Sequence, residues 1–456
     1  MAAPSLQDGI DQAGSPIRLL WKPDAAPWAP PVVDAEYVGW AAEQDAWRTG
    51  VAISDLSYHM SDTFLEGPDV VRLLSDVSAN NYENFAIGQA KQFIPVARDG
   101  NIISDGILLR TGEATFVLSG VPAAQNWVAY HAEHGGYDVA FSVDPDRSFI
   151  REDPRLFRLQ VQGPRALALV EEAFGAPLPE TKFFHSTMVN LAGRNIRALR
   201  HGMAGQAGFE FIGDYADHDA VKDALLNAGE PLGVAHLGAM SYATNGVESG
   251  WIPTPTPAIY TDPDLQDLRR NLGLFSFEGQ NPLYGSFYSD DITDFYTSPW
   301  ELGYGRSLSF NHDFIGREAL ERERNEVSRT KVTLEFDLDD VREAIGPDAE
   351  YALSYGRYRV EAPQGGLVGT AFYTARIAPV GTVLSLALVD HAVATPGIEV
   401  EVVWGQHPGH GTAPDADLGL PRIRATVQPT PYDEFARTRY RQGGQGVRTL
   451  YSLGQS

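Results

Sequence analysis

The segment LFRLQVQ at 156–162 admits one regular reading. Strand alternation puts Phe157, Leu159 and Val161 on one face, and Leu156, Arg158, Gln160 and Gln162 on the other. A strand with one apolar face needs a covering layer. The run GPRALALVEEAFG (163–175) directly behind it supplies an amphipathic helix. NIRALRHGMAGQAGFEFIGDY (195–215) adds two strands, and HDAVKDALLNAGE (218–230) another helix. This order of strand, helix, two strands and helix predicts the α+β class, with antiparallel sheets covered by helices.

The flanking sequence fits that class. VGWAAEQDAWRTGV (38–51), GPDVVRLLSDVS (67–78) and PAAQNWVAYHAEHGG (122–136) have apolar residues at helical spacing, the last stopped by Gly135-Gly136. VARDGNIISDGILLR (96–110) reads as two short strands about a turn at Gly100 and Asn101. FIGREALERERNEVSR (314–329) reads as a charged helix. After it, TKVTLEFDL, GLVGTAFYTARI, TVLSLALVD and IEVEVVWG are all strand-like. The expected organisation is an arm over 1–35, rich in Pro and Ala and irregular. Two interleaved α+β subdomains over 36–325 follow, then a β-rich domain over 326–435 and a polar, Gly-rich tail over 436–456.

Composition narrows the function classes. The 456 residues include no cysteine, which removes disulfides, thiol nucleophiles and thiolate metal sites. A net charge of -25, from 60 acidic against 35 basic residues, repels phosphate backbones and anionic lipid. Neither nucleic acid nor a membrane is an expected partner. The acidic start has no apolar leader region, and no run approaches the roughly 18 apolar residues of a spanning helix, so the cytoplasm is expected. His407 and His410 lack a flanking acid at ligand spacing, and no metal is expected. The G-x-S-x-G and H-E-x-x-H patterns of common hydrolases are absent.

Chemistry-bearing residues concentrate at 236–262, where Tyr242, Asn245, Glu248, Trp251 and Tyr260 sit among Gly and Pro. The segment is either an aromatic contact between domains or a pocket wall, with Trp251 as a stacking platform and Tyr242 as a proton donor. His59, in DLSYHM (55–60), is either structural or part of that site. Gln162 in QGP and Glu210 in GFEF are either exposed strand residues or an amide–carboxylate pair matched to a heteroaromatic edge. Trp21 and Trp28, in WKPDAAPWAPP (21–31), pack against the first domain or border a substrate pocket.

Four segments together carry a family resemblance: QGP (162–164), GFEF (208–211), SPWELGYGRSLSFNHDFIGREAL (298–320) and GGLVGTAFYTARIAPVGTVLSLALVDHAVATPGIEVEV (365–402). They resemble the glycine-cleavage T-protein family, the folate-dependent aminomethyltransferases, over about residues 36–406. Within it, DLSYHM, GGYDV (135–139) and ESGWIPTPTPAIYTD (248–262) are similar to tetrahydrofolate-dependent O-demethylases acting on vanillate, syringate and 3-O-methylgallate. The resemblance implies the aminomethyltransferase fold, with 36–325 as its folate-binding region, and methyl transfer from an aromatic methoxy group to tetrahydrofolate. It implies that Gln162, Glu210 and Trp251 hold the pterin, that Tyr242 serves both cofactor and methyl transfer, and that His59 faces the aromatic. Glycine-cleavage members carry GARDxLRLEAG where this chain has GAMSYATNGVESG, so their folate-contacting Arg is missing; they also carry two adjacent acids where this chain has Ser104-Asp105. Vanillate-type members place tyrosines opposite PWAPP and an Arg opposite SGVPAA, where this chain has Trp28, Pro30 and Val121. Arg110 is the candidate replacement cation. The expected substrate is a less polar methoxyphenol or a differently oriented aromatic acid. The alternatives are another folate-dependent one-carbon transferase of the same fold: an aminomethyltransferase, or an N- or S-methyl demethylase. The Cys-containing K-G-C-Y-x-G-Q-E signature of iron–sulfur maturation relatives is absent.

Overall fold

The computed structural model describes residues 3–203 and 205–439. Its first helices, α1 (Leu6–Ala13) and α2 (Pro16–Leu20), lie in the stretch expected to be irregular. Ser5 and Asp8 form a reciprocal cap on α1, and Ser15 with Pro16 starts α2. Leu6, Ile10, Ile17, Leu20 and Trp21 enter the largest core cluster. Irregular backbone resumes at Lys22 and runs to α3 (Trp40–Thr49).

The next elements are β1 (Ala52–Asp55), β2 (Ser61–Glu66), α4 (Val70–Asp76), β3 (Ala90–Phe93), β4 (Gly106–Arg110), β5 (Thr115–Gly120), α5 (Pro122–His134) and β6 (Ala140–Asp144). Then come β7 (Leu156–Gln162), α6 (Ala166–Phe174), β8 (Ser186–Leu191), β9 (Arg194–Arg200), β10 (Gly208–Asp214), α7 (His218–Gly229), β11 (Ala235–Leu237), α8 (Ala239–Tyr242) and α9 (Asn245–Ser249). Two sheets form from them, in the orders β3-β4-β5-β2-β6 and β11-β1-β7-β10-β9-β8. All pairings in both are antiparallel except β1 with β11. Helices α4 and α5 share a core with the first sheet, and α6 and α7 with the second.

The alternation of LFRLQVQ is realised as expected. Phe157, Leu159 and Val161 are fully buried in the α6–α7 core. The glycines of QGP and GFEF have steric causes. A Cβ at Gly163, where φ is +120°, would come within 2.6 Å of the Gly50 carbonyl oxygen, and one at Gly208 within 2.1 Å of that of Val161.

The C-terminal strands are β12 (Arg329–Phe336), β13 (Leu353–Ser354), β14 (Tyr358–Glu361), β15 (Leu367–Ile377), β16 (Thr382–Asp390), β17 (Glu399–Val403) and β18 (Arg422–Gln428). The order β15-β14-β17-β18-β12-β16 closes through β15–β16 pairing into a six-stranded barrel, with β13 added on β15. Closure removes the edges that an open sheet would expose. The fold is mixed α+β with a C-terminal barrel.

Two local expectations change. The strands expected around Gly100 reduce to a single Val96–Ile102 bridge before β4. The charged helix expected at 314–329 covers only Arg317–Glu323, because Ala319 and Leu320 alone of that helix are buried and the residues after it offer no second apolar turn. The tail expected at 436–456 lies outside the described residues beyond Arg439. No helix among the described residues is long and apolar enough to cross a membrane.

Candidate functional site

The polar face of β7 points away from its helices and toward the other sheet. Register sets Ser54, Gln160 and Glu210 in a row across β1, β7 and β10, with Gln162 opposite Gly208. Arg158, next on that face, is buried and holds the two sheets together. One of its terminal nitrogens donates to Glu210 Oε1 at 2.7 Å; the other donates to Asp62 Oδ1 at 2.7 Å and to Ser119 Oγ at 2.6 Å. Asp62 on β2 and Ser119 on β5 are themselves register partners. Burial alone would lower the Arg158 pKa, but the charges of Asp62 and Glu210 raise it. The guanidinium is therefore fixed as a cation between two carboxylates, and the trio carries one net negative charge. Gln162 accepts from the Met203 backbone N–H at 3.0 Å. Gln160 donates to the carbonyls of His201 and Phe209, and its Oε1 is buried without a hydrogen-bond donor among the described residues.

A second cluster forms where the segment before β2 meets α8. His59 Nε2 lies 2.7 Å from the Tyr242 hydroxyl. Trp28 packs on both rings, at centroid distances of 5.8 Å from His59 and 6.1 Å from Tyr242. Glu43 on α3 explains why these segments meet. Its carboxylate is fully buried and accepts from the N–H groups of Tyr37, Val38 and Gly238 and from the Ser241 hydroxyl. The stretch leading from Trp28 and the first turn of α8 are thereby bound to one side chain. Burial pushes the His59 pKa down to about 4, against the opposing charges of Asp55 and Glu210, so the ring is neutral at pH 7. Burial, and then the charge of Glu210, push the Tyr242 phenol well above its usual range. The Glu210 charge thus reaches both members of the pair.

A third cluster surrounds Asp105, at the entry to β4. Its Oδ2 accepts from Gln92 Nε2 at 2.7 Å, Trp251 Nε1 at 2.8 Å and the Tyr304 hydroxyl at 2.9 Å. Its Oδ1 is buried and has no donor among the described residues. Burial raises the Asp105 pKa, while these three donors and the Lys331 charge pull the other way. A buried acceptor left open beside a tryptophan suits a flat ligand that carries N–H groups.

The structure thus joins Trp28, His59 and Tyr242, joins Glu210 to Arg158, and ties Trp251 to Asp105. Val121 caps α5 one residue beyond the Ser61–Gly120 pair, at the sheet end that carries His59. Arg110 is not brought to these clusters: its guanidinium donates to the carbonyls of Phe85, Gly112 and Glu113 at the far end of β4. Its nitrogens are consumed in holding a turn. Glu248 serves structure as well, accepting from Trp47 and Arg48. Tyr260 is buried and donates to the Glu278 carbonyl. Arg158, Asp62 and Ser119 were not singled out from sequence, although the polar alternation of LFRLQVQ marks Arg158. Asp62 and Ser119 carry no local signal. Two small cavities, one bordered by Phe287, Arg357 and Phe372 and one by Leu338, Val341 and Arg376, include none of the site residues.

Comparison with known proteins places these clusters in context. The model of the GCVT N-terminal domain matches residues 25–256. Syringate O-demethylase of Sphingobium sp. is 36% identical, covering 96% of this chain and 98% of its own. Sesamin methylene transferase of Sinomonas sp. is 29% identical over 89% of this chain and 91% of its own. Glycine cleavage system aminomethyltransferase T from Bartonella henselae superposes with a TM-score of 0.63 at 19% identity, covering 93% of this chain and 96% of that structure.

Proposed function

From the premise that this chain belongs to the glycine-cleavage T-protein family of folate-dependent one-carbon transferases, we propose that it is a tetrahydrofolate-dependent O-demethylase of methoxylated aromatics. The overall reaction is balanced without an oxidant or metal: an aryl methyl ether and tetrahydrofolate give a phenol and 5-methyltetrahydrofolate. The observation that carries the reading is the His59–Tyr242 hydrogen bond at 2.7 Å, roofed by Trp28 and set in the field of Glu210. The similarity to a syringate O-demethylase over nearly the whole chain supports it.

The acceptors present fit a reduced pterin, whose edge is rich in N–H groups. Arg158 engages Glu210 through Oε1, and among the described residues Asp105 Oδ1 and Gln160 Oε1 are buried without donors. Glu210, Gln162, Trp251 and Asp105 would hold the group. When bound, tetrahydrofolate supplies the N5 amine that takes the methyl group.

The chain's own task is to stabilise the departing phenolate. An ordinary phenol has a pKa of about 10. Tyr242 is pushed above that, so it holds its hydrogen toward the ether oxygen and keeps it, acting as a hydrogen-bond donor rather than a source of protons. For the tyrosine hydrogen to be free for substrate, His59 must be the Nε2–H tautomer and donate to the phenol oxygen. A neutral imidazole can do this. Ring distances of 5.8 and 6.1 Å leave no gap for another ring beneath Trp28, so the aromatic displaces Trp28 or lies on the outer side of the pair. Arg110, held by three backbone carbonyls, does not replace that cation, which favours a neutral methoxyphenol over an aromatic acid.

Glu210→Gln tests the cofactor assignment. It should weaken tetrahydrofolate binding about 10- to 100-fold, the loss expected when a charge-assisted hydrogen bond becomes a neutral one. Titration calorimetry reads the affinity directly, and an unchanged value would place the pterin elsewhere. Incubation with tetrahydrofolate and a panel of methoxyarenes, with and without carboxylates, tests the function. Formation of 5-methyltetrahydrofolate with the matching phenol supports it. Methylene-folate formed from a methylenedioxy compound, or with release of ammonia, would assign the chain to another one-carbon reaction.

A further inference from the structure

The face of β1 opposite the proposed site carries a charged cluster that the chemistry above does not use. Asp55 ends β1 and opens the loop that carries His59. Its Oδ1 accepts from the Ser57 N–H at 3.2 Å and the Ser57 hydroxyl at 2.7 Å. Its Oδ2 accepts from His218 Nε2 at 2.7 Å and Lys222 Nζ at 3.1 Å, both on α7. Ser57 Oγ in turn accepts from the Arg158 backbone N–H at 3.1 Å, and Leu56 N–H donates to the Arg158 carbonyl at 2.8 Å. The Tyr58 hydroxyl bonds that of Tyr215, whose ring stacks on His218 at 5.0 Å and 15°. Every residue from Asp55 to Tyr58 is therefore tied down, and two of the ties lead to His218.

His218 itself lies between two carboxylates. Nε2 faces Asp55, and Nδ1 faces Asp219 at 2.8 Å. Lys222 on the same helix, Tyr215 before it and Phe157 on β7, edge-on at 6.3 Å, complete its surroundings. Only an imidazolium donates from both nitrogens. A neutral ring gives up one of the two carboxylates and leaves the charge of Asp55, which acts on His59, less compensated.

We propose that His218 is a positioning residue for His59, acting through Asp55 and the 55–58 loop from the opposite face of the sheet. The importance of His59 rests on the methyl-transfer reading; the mechanical link stands on the contacts alone. Burial by itself would lower the His218 pKa, but the hydrogen bond and charge of Asp55, with Asp219, raise it above the ordinary value. The sign follows. The alignment is complete below the raised pKa and is lost as pH rises through it.

The test is a pH titration of protein labelled with 15N at histidine, with His59 and His218 signals identified by His59→Asn and His218→Gln. The His59 ring-nitrogen signals should show an inflection at the pH where His218 titrates. His218→Gln should abolish it, and Ser57→Ala should leave His218 titrating while uncoupling His59. In turnover, His218→Gln should lower kcat about tenfold with the KM for folate within about twofold, and should remove the alkaline fall in kcat. His59 signals that ignore the His218 titration in the folded wild-type protein would overturn the link, whatever the variants do. Coupled signals in a protein that transfers no methyl group would keep the link and overturn the function instead.

Discussion

Tyr242→Phe is expected to lower kcat for methyl transfer by about 10²–10³-fold, the usual worth of one hydrogen-bond donor at a departing oxyanion, with folate affinity nearly unchanged. The substitution deletes one oxygen. That oxygen is bonded to His59 and lies beside the Asn245 amide, and the ring contacts with His59 and Trp28 need no hydroxyl. The backbone carbonyl of residue 242 that accepts from Asn245 is also retained. Stopped-flow or single-turnover kinetics with folate prebound separates the loss of chemistry from binding. Turnover within a few-fold of wild type would remove Tyr242 from the mechanism.

Arg158→Met is expected to be the most damaging substitution for stability. It leaves Asp62 and Glu210 buried without their shared cation, at a cost of about 3–5 kcal/mol. Methionine fills much of the volume, so a cavity contributes little and the electrostatic loss is isolated. Urea unfolding at neutral pH reads it. A variant as stable as wild type would mean that the two sheets do not depend on this guanidinium.

What the sequence revealed and what it hid follow from the range of the interactions. The α+β class was legible because LFRLQVQ and the helix after it carry their own periodicity. The β-rich end was legible for the same reason, in four runs of alternating residues. Barrel closure was not: β15 and β16 are joined by a short turn, but the ring is completed by β12, which pairs with the distant β16 and β18. Helices α1 and α2 were missed because eight and five residues among prolines carry little propensity signal. Their stability comes from Leu6 and Ile17 entering a core built largely by distant segments.

The site was half legible. His59, Trp28 and Tyr242 were drawn into one site through the resemblance, since up to 214 residues separate them and no local pattern joins them. Arg158 was visible as one polar residue of a face, but its partners at 62, 119 and 210 lie on three other strands. His218 read only as the start of a helix, because Asp55 is 163 residues away. Arg110 was the candidate replacement cation, and charge alone says nothing about the three carbonyls that hold it.

The most direct test follows a 13C-labelled methoxy carbon. With a neutral methoxyarene, tetrahydrofolate and the purified protein under anaerobic conditions, the label should appear in the N5-methyl signal of the folate, with one equivalent of phenol formed. Label released as methanol or formaldehyde, or ether consumed while the folate stays unmethylated, would contradict transfer to N5 and with it the proposed reaction.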